Sequence, residues 1–137
     1  MTAPHSDAFL KEILEQALDA ISAGRYQHIH DFRSGRTVAW HLERDLERLD
    51  ACCPASRITT EEDYWGVVQD CLETALSTPE ETYKQPQDSI CSHEEADGHE
   101  MFAFVIHLPD FTRPIYTKFC LKEQPDGTWY VSIDCHT

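Results

Sequence analysis

The sequence predicts an α+β protein in which about three helices pack on one face of a small antiparallel sheet. Two patterns lead to this class. Apolar residues recur at helical spacing in three stretches before residue 77, and they alternate with polar residues in three stretches after residue 100. A chain of 137 residues suits a single domain, 1–137, with one hydrophobic core.

Three helices are predicted in the first half of the chain. The first begins at Ser6 or Asp7 and ends at Gly24, because Ser and Asp cap helix N-termini and Gly often ends a helix. The second begins after Thr37, and the third begins within the capping sequence at 59–63. The stripes expected to face the core are Phe9, Leu10, Ile13, Leu14, Ala17, Leu18 and Ile21, then Val38, Leu42, Leu46 and Leu49, then Trp65, Val68, Cys71, Leu72, Ala75 and Leu76.

Two segments show no regular pattern. Residues 25–32 alternate only weakly, and we interpret His28 and His30 there as surface residues because no third metal ligand accompanies them. Residues 79–98 are polar, acidic and interrupted by Pro79 and Pro86. This second segment is long for a connection within a domain, so we expect a poorly ordered loop.

The C-terminal part of the chain predicts a three-stranded antiparallel meander. Its strands fall at 101–108, 115–122 and 129–136, and the sequence Gln-Pro-Asp-Gly at 124–127 supplies a turn between the last two. With the apolar side chains facing the core, including Phe104, the other face of the sheet becomes polar. That polar face collects His107, Tyr116, Lys118, Tyr130, Ser132, Asp134 and His136.

The net charge of −14 comes mainly from one block. Residues 59–100 contain twelve acidic residues and a single lysine, Lys84. Nonspecific nucleic-acid binding depends on Lys and Arg near phosphates, so this composition opposes it and no DNA contact is predicted.

No metal site, cofactor or membrane segment is predicted. The six cysteines include no CxxC pair, and Cys91 with His93 and His99 lacks the four-ligand pattern of structural zinc sites. The chain shows neither a signal peptide nor about 18 consecutive apolar residues, which favours a cytoplasmic location.

The polar face of the meander contains the residue types needed to cleave RNA without a metal. In that reaction the 2′-hydroxyl attacks the neighbouring phosphorus, which requires a base, an acid and a cation near the phosphoryl oxygens. Lys118 is the candidate cation, and His107 and His136 are the candidate acid and base. Tyr116 or Tyr130 would position the phosphate or donate a proton.

The order of these motifs resembles the MqsR-type ribonuclease toxins of the RelE superfamily. The similar segments are Gly24-Arg25-Tyr26, the helix that ends near Leu76 and is followed by Pro79-Glu80, and two C-terminal strands. These are the Tyr-x-Lys strand at 113–119 and the final strand at 129–136, which contains a serine and ends in a histidine. The resemblance implies a small α+β fold, cleavage of mRNA and sequestration by an antitoxin protein. It also implies Lys118, Tyr116 and His136 as catalytic residues.

Four further residues complete the predicted site. Asp134 is placed to orient a neighbouring histidine. The candidate substrate-binding residues are Tyr130, Ser132 and Arg113.

A second class of function remains open from the sequence. The acidic block would suit a binding protein of the immunity or inhibitor type that meets a basic partner and performs no catalysis. The residues expected at such an interface are Glu61, Glu62, Asp63, Glu80, Glu81, Glu94 and Glu95.

Overall fold

The computed structural model describes residues 6–29, 36–84 and 100–137, which form four helices and one four-stranded sheet. The predicted α+β class is confirmed for this part of the chain. The helices are α1 (Asp7–Ser22), α2 (Val38–Ala51), α3 (Glu61–Ser77) and the short α4 (Pro79–Thr82). The strands are β1 (Tyr26–His28), β2 (Phe102–Ile106), β3 (Ile115–Glu123) and β4 (Trp129–His136).

The three long helices begin where their capping residues predict. The side chains of Ser6 and Thr37 accept hydrogen bonds from backbone amides three residues later, at the starts of α1 and α2. At the start of α3, Thr60 and Asp63 form a reciprocal capping box. Gly24 follows α1 with φ of 78°, a conformation that L residues with a side chain rarely adopt.

The sheet is mixed, which corrects the prediction of an antiparallel sheet. Its strand order is β1-β4-β3-β2. The last three strands form sequential antiparallel pairs as expected, but β1 pairs in parallel with β4, with Tyr26 opposite Val131. β1 has only three residues, which is too few for an alternating pattern to be recognised in the sequence.

The inner face of the sheet forms the main core with α1 and α3. Phe104, Phe119 and Ile133 are fully buried, so the predicted assignment of strand faces is confirmed. In α3 the buried stripe also includes Tyr64 and Val67, which the predicted stripe omitted. The helix is therefore turned slightly from the predicted orientation.

The outer face of the sheet is partly covered. Ala103, Cys120 and Ser132 on this face are buried, and Ile29 and Met101 pack with Cys120 in a second, smaller cluster. Helix α2 packs against β4 and α3. Only part of the predicted polar face is therefore reachable by a substrate.

The beginning of the predicted 79–98 loop has regular structure. Helix α4 occupies its first residues, and Tyr83 forms an isolated β-bridge with Phe104. Apart from Lys84, the remainder of the predicted loop, with Cys91 and His93, lies outside the described residues, and so does His99. Within the described ranges no helix is long and apolar enough to cross a membrane.

Candidate functional site

The register of β3 and β4 brings three of the predicted catalytic residues together. Tyr116 lies opposite His136, and Lys118 lies opposite Asp134. Directly opposed residues of an antiparallel pair share one face, so these four side chains project to the same side of the sheet. The rings of Tyr116 and His136 are in contact, with centroids 5.4 Å apart.

The charges of two basic side chains act on His136. Burial lowers the pKa of this histidine, and the positive charges of Lys118 and Arg48 lower it further, while Asp134 acts in the opposite direction. Arg48 belongs to α2 and was not predicted to be part of the site. We call Tyr116, Lys118, His136 and Arg48 the cationic cluster.

Two other predicted residues lie outside this cluster but near its elements. The pairing of β2 with β3 ends at Ile106, and His107 follows β2 as an exposed residue. The residue of β2 that lies opposite Tyr116 is Val105, not His107. Arg113 is exposed in the loop that leads into β3.

The predicted substrate-binding residues of β4 contact the protein itself. The Tyr130 hydroxyl donates a hydrogen bond to the carbonyl oxygen of Tyr26 over 3.1 Å. Tyr130 lies six positions before His136, which corresponds to roughly 20 Å along a strand. Ser132 is buried and accepts a hydrogen bond of 2.9 Å from the Gln27 side chain. The arrangement therefore places neither residue at the cationic cluster.

A buried group of ionisable residues lies next to the cationic cluster, and we call it the His28 triad. It joins His28 at the end of β1, Asp45 on α2 and Asp134 on β4. His28 Nε2 is 2.7 Å from Asp45 Oδ2 and 3.4 Å from Asp134 Oδ1. Asp134 Oδ2 is in turn 3.9 Å from His136 Nε2, which connects the triad to the cationic cluster.

Burial and mutual contact shift the pKa values within the triad. Burial opposes the charged form of His28, but its interactions with Asp134 and Asp45 outweigh this and raise the pKa to about 9. Burial raises the pKa of Asp45 to about 7, although the hydrogen bond with His28 acts to lower it. Burial also disfavours the Asp134 carboxylate, yet hydrogen bonding to His28 and Asp45 lowers its pKa below the usual range. The triad therefore holds a charged His28 beside Asp134 at neutral pH.

His28 is the clearest correction to the sequence analysis. It was predicted to be a surface residue, whereas only 5% of its surface is exposed. Its ring packs against that of Tyr64, with centroids 5.4 Å apart. Asp45 and Asp134 come from distant parts of the chain, so no local spacing in the sequence points to this histidine.

An acidic groove runs along α3, and none of the residues of the two clusters lines it. It has a volume of about 710 Å³ and includes Glu62, Asp63, Asp70 and Asp110 among its lining residues, together with Trp65. An adjoining groove of about 420 Å³ shares Asp70 and Asp110 and adds Glu73. Burial raises the pKa of Asp70, as do the neighbouring charges of Glu73 and Asp110.

No protein-family model, curated protein or solved structure matches this chain.

Proposed function

We propose that the protein is a toxin-like endoribonuclease that cleaves RNA at the cationic cluster without using a metal ion in the chemical step. The observation that carries the proposal is the register of β3 and β4, which puts Tyr116 and Lys118 on the same face as His136. The positive charges of Lys118 and of Arg48 on α2 act on this histidine in a chain whose net charge is −14. A local concentration of cations in an acidic protein favours a specific anionic group over nonspecific contact with polyanions.

Each residue of the cluster has a role in cleavage. The 2′-hydroxyl of one nucleotide attacks the adjacent phosphorus and loses its proton, the bond to the 5′-oxygen of the next nucleotide breaks, and that oxygen gains a proton. Lys118 and Arg48 stabilise the negative charge that grows on the phosphoryl oxygens. His136 exchanges protons with the reacting oxygens.

Tyr116 positions His136 through the contact between their rings. Asp134, 3.9 Å from His136 Nε2, supports the orientation of the same ring. Exposed Arg113, three residues before Tyr116, extends the positive charge toward a neighbouring phosphate of the RNA. His107 is exposed at the end of β2 and stays a secondary candidate for proton transfer.

The test compares two lysines of the same strand. Lys118 and Lys122 both lie on the outer face of β3, but Lys122 pairs with Tyr130 at the opposite end of β4 from His136. Lys118→Ala is expected to reduce the cleavage rate of an RNA oligonucleotide roughly a hundredfold, which corresponds to about 3 kcal/mol of lost transition-state stabilisation. Lys122→Ala should cleave at nearly the wild-type rate, and equal rates for both variants would contradict the proposal.

In a cell, such an enzyme would require a protein partner that blocks the cluster. We propose an antitoxin in this role. Expression of the wild type without the partner should arrest growth and degrade mRNA, whereas Lys118→Ala should permit growth.

The acidic groove favours a second candidate function. Burial raises the pKa of Asp70, and the negative charges of Glu73 and Asp110 raise it further. A basic side chain of a partner would relieve the repulsion among these carboxylates. Under this alternative the protein binds a basic partner along α3 and does not cleave RNA. Wild-type protein that leaves RNA intact while binding basic peptides would favour this alternative over the ribonuclease.

A further inference from the structure

The His28 triad contains unsatisfied buried polar atoms. Among the described residues, the two buried side-chain atoms without a hydrogen-bond partner are His28 Nδ1 and Asp134 Oδ1, and both belong to this triad. Buried polar atoms in folded proteins nearly always have partners. An ion held between the three side chains would supply one for Asp134 Oδ1, which is 3.4 Å from His28 Nε2. His28 Nδ1 is not the ring nitrogen that faces the two carboxylates, so Asp134 Oδ1 is the atom that indicates an ion.

The geometry of the triad suits a small cation. One ligand atom from each of His28, Asp45 and Asp134 lies within 4.8 Å of the other two. In a tetrahedral site with bonds of about 2.0–2.2 Å, neighbouring ligand atoms lie about 3.4 Å apart. His28 Nε2 and Asp134 Oδ1 already have this separation of 3.4 Å, and the 2.7 Å contact between His28 and Asp45 needs to open only slightly.

The donor types indicate which cation fits. Metal binding requires neutral His28 and ionised Asp45, so a proton leaves the triad when an ion enters. The two carboxylates that remain carry two negative charges in a buried site, and a divalent ion neutralises them. One imidazole nitrogen with two carboxylate oxygens suits a first-row transition ion. Mg²⁺ and Ca²⁺ prefer sites made of oxygen ligands alone.

We propose that His28, Asp45 and Asp134 bind one divalent transition-metal ion, Zn²⁺ or Mn²⁺, that joins β1 and α2 to β4. The ion stabilises the fold next to the cationic cluster. Tyr116, Lys118, His136 and Arg48 are not among its ligands, and the ion takes no part in cleavage. Asp134 is both a ligand and a neighbour of His136, so metal binding is tested at Asp45 and His28, which have no role in the proposed cleavage.

The first experiment measures binding to the full chain after treatment with a chelator and removal of the chelator. Calorimetric titration with ZnCl2 or MnCl2 should show one bound equivalent at this site, and the melting temperature should rise more than with the same concentration of MgCl2. Asp45→Asn keeps the shape of the ligand but removes its charge. This variant should bind on the order of a hundredfold more weakly, because loss of even an outer-shell partner costs about 10–100-fold.

The matched control lies on the same helix. Glu47 is exposed on α2, and Glu47→Gln should bind the ion as the wild type does. If both Asp45→Asn and His28→Gln bound the metal ion with wild-type affinity, the ion would belong to another part of the chain and the proposal would be overturned. Absence of binding to the wild type would overturn it as well.

A second experiment needs no variant and therefore stays decisive if Asp45→Asn fails to fold. Co²⁺ bound by the triad should give visible d–d bands without a thiolate-to-cobalt charge-transfer band, because its ligands are nitrogen and oxygen. A site that includes a cysteine, such as Cys91 with His93, would show that charge-transfer band and would contradict the proposal.

Discussion

Tyr64 on α3 contacts the His28 triad through its ring and β4 through its hydroxyl group. This hydroxyl accepts a hydrogen bond of 2.8 Å from the backbone amide of Cys135, and the Tyr64 ring packs against His28. Both residues of the hydrogen bond are fully buried. The backbone amide of Cys135 therefore depends on a side chain of α3 for its hydrogen-bond acceptor.

Replacement of this hydroxyl should destabilise the fold. Tyr64→Phe keeps the ring but leaves the Cys135 amide without its acceptor, so we expect the free energy of unfolding to fall by about 1–3 kcal/mol. Urea denaturation at neutral pH measures this change, with an unchanged m-value as evidence that the unfolded state is unaffected. An unchanged denaturation midpoint would show that the hydroxyl contributes no net stability.

At the scale of residues, the sequence predicted which side chains share a face but not which of them meet. Alternation along β3 and β4 placed Tyr116, Lys118 and His136 on one side, and the strand register confirms their alignment. Arg48 and His28 were missed because they reach the site from α2 and β1. Their positions depend on tertiary packing, which the spacing of residues in the sequence does not indicate.

At the scale of elements, the N-terminus of α3 depends on an ionised side chain. The carboxylate of Asp63 accepts hydrogen bonds of 3.0 Å from the amides of Thr59 and Thr60. These bonds, with a contribution from the Thr60 side chain, lower the pKa of Asp63 below its ordinary value of 3.8. A carboxylate whose pKa is lower in the folded state stabilises that state above its unfolded pKa.

The contribution of Asp63 should therefore disappear in acid. The stabilisation by the Asp63 carboxylate is fully present at neutral pH. It decreases as the pH falls below about 4, and it is lost once the pH has passed the lowered pKa of the folded state. Asp63→Asn should melt below the wild type at pH 7, and the gap should narrow at pH 3. Thermal melts of both proteins across this range measure the gap, and a gap that stays constant with pH would contradict the assignment.

Elements with a complete signal in the sequence were predicted well. Capping residues and apolar stripes located α1, α2 and α3, and alternation located β2, β3 and β4. β1 and α4 have three and four residues, which is less than a recognisable period. The parallel pairing of β1 with β4 was unpredictable for the same reason, and this pairing brings His28 to Asp134.

At the scale of the whole molecule, the separation of charge defines two surfaces. The cationic cluster lies at one end of β3 and β4, while the acidic groove follows α3. The sequence identified the acidic block and the polar sheet face. It could not show that the charges of Lys118 and Arg48 both act on His136, or that Asp70 and Asp110 line one groove.

The acidic groove should make association with a basic peptide depend on salt. Exposed charges are screened over about 8 Å at physiological ionic strength, so the association rate should fall as salt rises. The double variant Asp70→Asn and Glu73→Gln should slow association more than it speeds dissociation. Stopped-flow measurements at low and high salt test this, with exposed Glu123→Gln as a control distant in sequence. Equal association rates in low and high salt would show that the acidic groove does not take part in recognition of the basic peptide.

Attack by the 2′-hydroxyl at the cationic cluster is tested most directly with two matched oligonucleotides. In excess EDTA and well below its melting temperature, the wild type should cleave an RNA strand and leave a 2′,3′-cyclic phosphate. The same strand with a single 2′-deoxynucleotide at the cleaved position should remain intact at that position, because the attacking hydroxyl is missing. Cleavage of the deoxy-substituted position, or cleavage that requires a divalent ion, would contradict this account of the site.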